Sequence, residues 1–207
     1  MKITVLGATG GVGGEVVKQA LGRGWHVTAV VRDPARLAVP GQDRLDVVVA
    51  GLGEQKKLTA AVEGRDAVLS ALGSRERKPT TVCVDGARAA IEAGAKRLLV
   101  VSASGLDADG DGVFTRTLVK PLLNAVLKHG YADMRAMEAL VMATEIDWTV
   151  VRPPMLLNGP RTGVVASRLD GNVRGSYTIR RADVAAYLLD AVAEPTLIRA
   201  KVSIAHG

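Results

Sequence analysis

The chain has one cysteine among its 207 residues, Cys83, so no disulfide can form within it and no framework of cross-links is available. Its three histidines, His26, His129 and His206, stand far apart. That scatter excludes a zinc site of clustered Cys and His, and no metal is expected. Aromatic residues number six, Phe114 with two Trp and three Tyr, too few for a base-stacking platform. No apolar run approaches the roughly 20 residues that cross a bilayer. Strand-like sequence begins at Lys2, which leaves no room for a secretory signal. The formal net charge of +6 would suit nucleic acid, but Lys56-Lys57, Lys96-Arg97 and Arg180-Arg181 are separate pairs rather than one stripe. They read as solvated surface, in a positive field that also favours a small anionic ligand. The expectation is a cytoplasmic protein that meets neither membrane nor nucleic acid.

Against these absences stands a regular alternation. Ile3–Leu6, His26–Val31, Leu45–Ala50, Asp66–Leu72 and Arg97–Ala103 are short, continuously apolar runs rich in β-branched residues, which read as buried strands. Helical periodicity separates them at Val12–Leu21, Glu54–Val62 and from a Thr80 or Thr81 cap to Glu92, each closed by glycine. After a polar loop, Arg116–Thr144 reads as mostly helical, interrupted near Pro121 and Gly130. Asp147–Pro154 is a sixth strand stopped by prolines, Ala182–Ala193 a last helix and Ala200–Ala205 a final strand. Strands apolar on both faces, alternating with helices, predict an α/β Rossmann-like domain over residues 1–207: a doubly wound, mostly parallel sheet with helices on both faces. An irregular substrate-side segment is expected at about 155–178.

The first strand leads through GATGGVG into the first helix. In that setting the glycines at Gly7, Gly10 and Gly13 have separate tasks. Gly7 permits a tight exit from the strand, Gly10 a close approach of backbone to a pyrophosphate, and Gly13 close packing of helix on sheet. Thr9, Gly11 and Val12 complete the loop, whose free N–H groups and helix dipole attract phosphate oxygens. A dinucleotide cofactor is the expectation. At the end of the second strand, VVRDPARL offers both Arg32 and Asp33. Asp33 before Pro34 is a natural helix cap. Arg32, joined by Arg36, suits a 2′-phosphate, so NADP(H) is favoured over NAD(H).

The sequence resembles the atypical short-chain dehydrogenase/reductases, in their NmrA-like and flavin reductase (biliverdin reductase B) branch. The motifs that carry the resemblance are GATGGVG, VVRDPARL, DAVLSALGSR, DWTVVRPPML and RRADVAAYLL, and they span nearly the whole chain. The resemblance implies NADP(H) binding and reduction of flavins or open-chain tetrapyrroles. It also implies that Arg32 and Arg36 meet the 2′-phosphate, that Gly51 and Leu52 border the adenine, and that Leu72, Gly73 and Arg75 lie along the cofactor. Ser102 to Ser104, with Pro153 and Met155, would line the nicotinamide end. Three positions depart from the family pattern. Gly51 stands where aspartate is common, Met155 replaces a histidine, and the Tyr-x-x-x-Lys pair is absent.

In place of that pair, YADMR supplies Tyr131 and Arg135 on one helix face. A guanidinium there could lower the tyrosine pKa and make it a proton donor. The reading preferred from the residues is that Arg135 pairs with Glu138 on the surface while Tyr131 packs, with Met134, Met137, Leu140 and Val141 as a core stripe. Ser102 and Ser104 stand at the end of the fifth strand, where open α/β sheets place ligands, and are catalytic candidates with Tyr131. Asp107, Asp109, Asp111 and Gly112 mimic the start of a calcium loop, but position twelve is Leu118 rather than glutamate, so an acidic loop is expected instead. The expected function is hydride transfer from NADPH to a small flat conjugated acceptor. The alternative is a non-catalytic NADP(H)-binding sensor that acts through a protein partner.

Overall fold

In chain order the elements are β1 (Lys2–Leu6), α1 (Gly11–Gly22), β2 (His26–Val31), β3 (Leu45–Val49), α2 (Gln55–Val62), β4 (Ala67–Ser70), α3 (Val82–Glu92), β5 (Arg97–Val101), α4 (Lys120–Met142), β6 (Asp147–Arg152), β7 (Met155–Leu157), β8 (Val165–Leu169), β9 (Thr178–Arg180), α5 (Arg181–Ala191) and β10 (Ala200–His206). They come from a computed structural model that describes residues 1–39, 41–74, 78–106 and 120–207. The Asp107–Gly112 stretch lies outside the described residues.

Ile3, Thr4, Val5 and Leu6 are all buried, so β1 has no solvent face. Parallel β2 and β4 flank it, and the full sheet runs β3-β2-β1-β4-β5-β6-β10-β8. Every pairing in this sheet is parallel except that of β8, which runs antiparallel to β10. α1 and α5 bury Val12, Val16, Val17, Val184, Leu188 and Leu189 against one face. α2, α3 and α4 bury Leu58, Ala61, Val84, Ala87, Met137 and Val141 against the other. Each large aliphatic side chain so buried contributes about 1.5–3 kcal/mol. The expected doubly wound α/β architecture is therefore the observed one. The chain leaves β1 towards β3 and returns beside β1 at β4, and that reversal opens a crevice at the carboxyl ends of the strands.

Four local expectations change. β3 is an edge strand, and Val47 and Val49 remain exposed rather than covered. α4 runs unbroken through Gly130. There the buried stripe of Tyr131, Met137 and Val141 outweighs the roughly 1 kcal/mol that glycine costs a helix. The described part of α4 begins at Lys120, beside Pro121, where an interruption was expected. The segment at 155–178 is not wholly irregular, because β8 joins the main sheet and β7 pairs with β9 in a small parallel ribbon. Short, glycine-bounded, half-exposed strands leave little periodicity to read.

The basic pairs are also not all solvated surface. Arg97 is buried and donates to the carbonyls of Ala191 and Val192 at 2.8 and 3.2 Å, placing a cation at the negative end of α5.

Candidate functional site

The floor of the crevice is the turn from β1 into α1. Gly7 sits at φ +81°, and a Cβ there would stand 2.8 Å from the Ala71 carbonyl oxygen, so both torsion and space require glycine. Its own carbonyl accepts from the Gly10 N–H at 2.9 Å. A Cβ on Gly13 would lie 2.2 Å from that same oxygen, so α1 can seat on the turn only without a side chain at this position. The helix has no side-chain cap and no acid in its first turn, which leaves its leading N–H groups facing the crevice end. Thr9 and Gly10 line the opening, while the Val12 side chain is buried in the core and offers only backbone.

From this floor a cleft of about 670 Å³ extends both ways across the sheet edge. On one side lie Arg32 and Arg36, both exposed and neither paired with a carboxylate among the described residues. Asp33 between them accepts from the Ala35 N–H at 3.0 Å and caps the turn Pro34–Arg36, as its position before proline suggested. Ala50 and Leu52 form an apolar wall nearby. Gly51 sits between these two, its N–H donated to Glu54 Oε2 at 2.7 Å. On the other side the lining is Leu72 and Gly73, followed by Ser74, Lys78, Pro79 and Thr80. These last four escaped the sequence reading, although SRERKPTT directly follows a strand end, where ligands gather. Arg75 lies outside the described residues.

The far wall is α3, whose start is where the sequence placed it but whose cap is not. Thr81 makes no side-chain cap, and Thr80 accepts only a long bond of 3.3 Å from the Val82 N–H. The cap is instead Asp133 from α4, whose two oxygens accept from the N–H groups of Cys83 and Val84 at 2.9 and 3.0 Å. This buried carboxylate ties the two helices together at the positive end of α3. Burial, aided by the Asp133 charge, pushes the Cys83 thiol up to about 12, so it is no nucleophile. Its Sγ lies 3.4 Å from the Leu72 carbonyl and braces the cleft wall.

The second half of the site lies at the ends of β5 and β6. Ser102 N–H donates to Val151 O at 2.8 Å, and Ser104 N–H to Pro153 O at 3.0 Å, which brings Ser102, Ser104 and Pro153 together. Ser102 Oγ is buried, in a residue 3% exposed, and has no hydrogen-bond partner among the described residues. Met155, by contrast, is 63% exposed. None of these four residues lines the 670 Å³ cleft itself.

Tyr131 packs against the turn that follows Ser104, so closely that a Cβ on Gly105 would fall 2.2 Å from its hydroxyl oxygen. Burial raises its pKa, and the nearby Arg135 only partly offsets that. Arg135 does not pair with Glu138. It donates to the Leu106 carbonyl at 3.3 Å, while Glu138 is buried in a bidentate pair with Arg152 at the end of β6, one bond of which is 2.8 Å. Arg152 stands next to Pro153, so the pair fixes the strand end from beneath. The core stripe of Met134, Met137, Leu140 and Val141 is as expected.

Among the described residues no group of His, Cys, Asp or Glu is arranged to hold a metal ion, and no helix is long and apolar enough to cross a membrane. Comparison with known proteins agrees with what the crevice is built to hold. A family model described as NAD(P)H-binding matches residues 7–195. An uncharacterized sugar epimerase, YhfK of Bacillus subtilis, is 33% identical over 180 residues, covering 82% of this chain and 79% of the relative. Among solved structures, the oxidoreductase ylbE of Lactococcus lactis superposes with a TM-score of 0.82 at 22% identity, covering 100% of this chain and 91% of the other. An anaerobillin reductase of Escherichia coli does so with a TM-score of 0.79 at 22% identity, over 100% and 97%. At such identities the structures establish a common fold, and the family match runs from the first glycine of the loop to Pro195, past the end of α5. The chain belongs to the NAD(P)H-binding family of Rossmann-fold proteins.

Proposed function

We propose that the protein is an NADPH-dependent reductase that delivers hydride to a flat conjugated acceptor of the flavin, quinone or open-chain tetrapyrrole kind. The observation that carries the cofactor preference is the cation pair at the end of β2. Arg32 and Arg36 line the cleft without carboxylate partners among the described residues, while Asp33 is committed to the Ala35 N–H. A free carboxylate there would accept a ribose hydroxyl and favour NADH, whereas free guanidiniums favour a 2′-phosphate.

The glycine cradle fits the group, since a side chain at Gly7 or Gly13 would collide with backbone and the first N–H groups of α1 carry no cap. Those amides would hold the pyrophosphate, Ala50 and Leu52 the adenine, and Leu72 with Gly73 the opposite half. When bound, the cofactor supplies a hydride from its dihydronicotinamide ring.

The chain's own residues have modest tasks. The unpartnered Ser102 hydroxyl can donate to a carbonyl at the strand end. Exposed Met155, Leu157 and Tyr177 offer an apolar surface on which a planar ring excludes water. Burial raises the pKa of Tyr131 and makes it a weaker acid, and its hydroxyl packs against Gly105, so it is not assigned as the proton donor. A flavin or quinone gains the hydride and then takes its proton from water, so positioning and exclusion of water carry the rate.

The same features weigh against an epimerase, which needs an acid–base pair. The Tyr131–Arg135 pair is instead occupied with the turn at Ser104–Leu106. A non-catalytic NADP(H)-binding sensor is the alternative: a sensor can carry side chains over the nicotinamide end, whereas a reductase must leave it open. The exposure of Met155 favours an open end. The test is oxidation of NADPH, followed by loss of its absorbance, with FMN, riboflavin and a simple quinone as acceptors and NADH in parallel. Turnover that prefers NADPH supports the reading. Tight NADPH binding with no oxidation by any acceptor would replace it with the sensor.

A further inference from the structure

Gly11 opens α1 with its φ outside the left-handed region, so its torsion does not require glycine. The contact at this position comes from the other end of the chain. A Cβ on Gly11 would stand 2.6 Å from Cδ and 2.7 Å from Nε of Arg181. The Arg181 side chain, rising from the first residue of α5, therefore lies across the first turn of α1. Arg181 is half-buried, outside the lining of the 670 Å³ cleft, and its guanidinium still reaches solvent.

Its guanidinium is anchored at one corner, where Nη1 donates to Asn158 Oδ1 at 2.6 Å. No carboxylate among the described residues neutralises it. Asp183, two residues on, gives both oxygens to Thr162 and Gly163. Glu15 on α1 is engaged with Lys18 and Gln19. The first turn of α1 has no acid either, and Gly10 supplies no cap. A fixed cation thus sits against the positive end of a helix dipole, which is unfavourable until an anion joins them. A guanidinium has five N–H donors, and the bond to Asn158 leaves others to face that anion.

We propose that Arg181 is a cofactor-binding residue that grips the pyrophosphate of the dinucleotide from the α5 side, opposite the α1 amides, with Asn158 as its positioning residue. The proposal rests on the reading of the cleft as the cofactor site, and it divides recognition into two parts. Arg32 and Arg36 meet the 2′-phosphate that only NADP(H) carries. Arg181 meets the pyrophosphate common to both dinucleotides.

The experiment is a binding titration of NADPH, NADH and adenosine 2′-monophosphate, the last of which has no pyrophosphate, on the wild type, Arg181→Met, Arg181→Lys and Asn158→Ala. Arg181→Met is expected to weaken both dinucleotides about tenfold, in the range of a lost charged hydrogen bond, and to leave the monophosphate unchanged. It should also flatten the salt dependence of dinucleotide binding. Arg181→Lys, which keeps charge and packing, should fall between wild type and Arg181→Met, and Asn158→Ala should do the same. Thermal denaturation of each variant identifies any that fail to fold, and Arg181→Lys then carries the test. Unchanged dinucleotide binding in Arg181→Met, or an equal loss of the monophosphate, would overturn the assignment while leaving the cleft reading intact. A wild type that binds neither dinucleotide but binds the monophosphate would overturn both together.

Discussion

The two halves of the crevice are made differently. At the half proposed for adenosine the features belong to backbone: a left-handed Gly7, a close approach at Gly13 and uncapped N–H groups, with Arg32 and Arg36 added at the rim. At the half proposed for the acceptor, beyond the 670 Å³ cleft itself, the features are side chains held from behind, namely a Ser102 without a hydroxyl partner among the described residues, a packed Tyr131 and a Glu138–Arg152 pair beneath Pro153. The first half is specified by geometry that admits one residue type. The second holds a shape and leaves the chemistry to whatever occupies it.

The largest effect that would sharpen this contrast is expected from the support under the acceptor half. Arg152→Met leaves the buried Glu138 carboxylate unpaired and should cost about 3–5 kcal/mol in thermal or urea unfolding. The double variant Arg152→Met with Glu138→Gln should regain part of that loss. Additive losses would show that the pair is not one unit.

At the adenosine half, Arg32→Ala should weaken NADPH binding by about 1.5–3 kcal/mol and barely alter NADH, read by titration. Equal loss for both cofactors would move Arg32 away from the 2′-phosphate and remove the basis for the NADPH preference.

A smaller effect concerns the wall the halves share. The Cys83 thiol is raised from 9.0 to about 12 in the folded protein, so folding favours its protonated form. Its contribution is complete below the unfolded value and is lost as pH climbs towards the folded one. Between about pH 9 and pH 11 the stability of wild type should therefore fall more steeply than that of Cys83→Ala, by roughly 1 kcal/mol per pH unit in unfolding experiments. Parallel slopes would show that the thiol is better solvated than its packing against Leu72 implies.

The smallest effect is expected at Tyr131. Tyr131→Phe should leave reductase turnover within about twofold, with no change in pH profile through the neutral range, because burial makes that hydroxyl a weaker acid and it packs against Gly105 rather than lining the cleft. A loss on the order of 100-fold would make Tyr131 the proton donor and break the view that the acceptor half has no acid of its own.

How much of this was legible in the sequence follows the same division. GATGGVG between an apolar run and a helical period could be read because only glycine satisfies the torsion at Gly7 and the approach at Gly13. Asp33 before Pro34 was readable as a cap, which left Arg32 and Arg36 for a ligand. The cap of α3 was not, because local rules favour the adjacent Thr81 while the carboxylate that serves arrives from Asp133, some 50 residues later. Glu138 was assigned to Arg135 on helical spacing, but burial brought it to Arg152 on a neighbouring strand. Arg181 read as one of a solvated pair until the empty space at Gly11 showed where it lies. Requirements of backbone are written locally, and pairings of side chains across elements are settled only by packing.

The most direct test of the central claim is a single-turnover experiment with NADPH carrying deuterium at its transferable position, bound to the wild type and mixed with a quinone or a flavin. The predicted result is rapid oxidation with a primary isotope effect and a much weaker reaction from NADH. NADPH that binds tightly yet stays reduced with every acceptor would contradict it, and would make the crevice a place where the cofactor is held but not used.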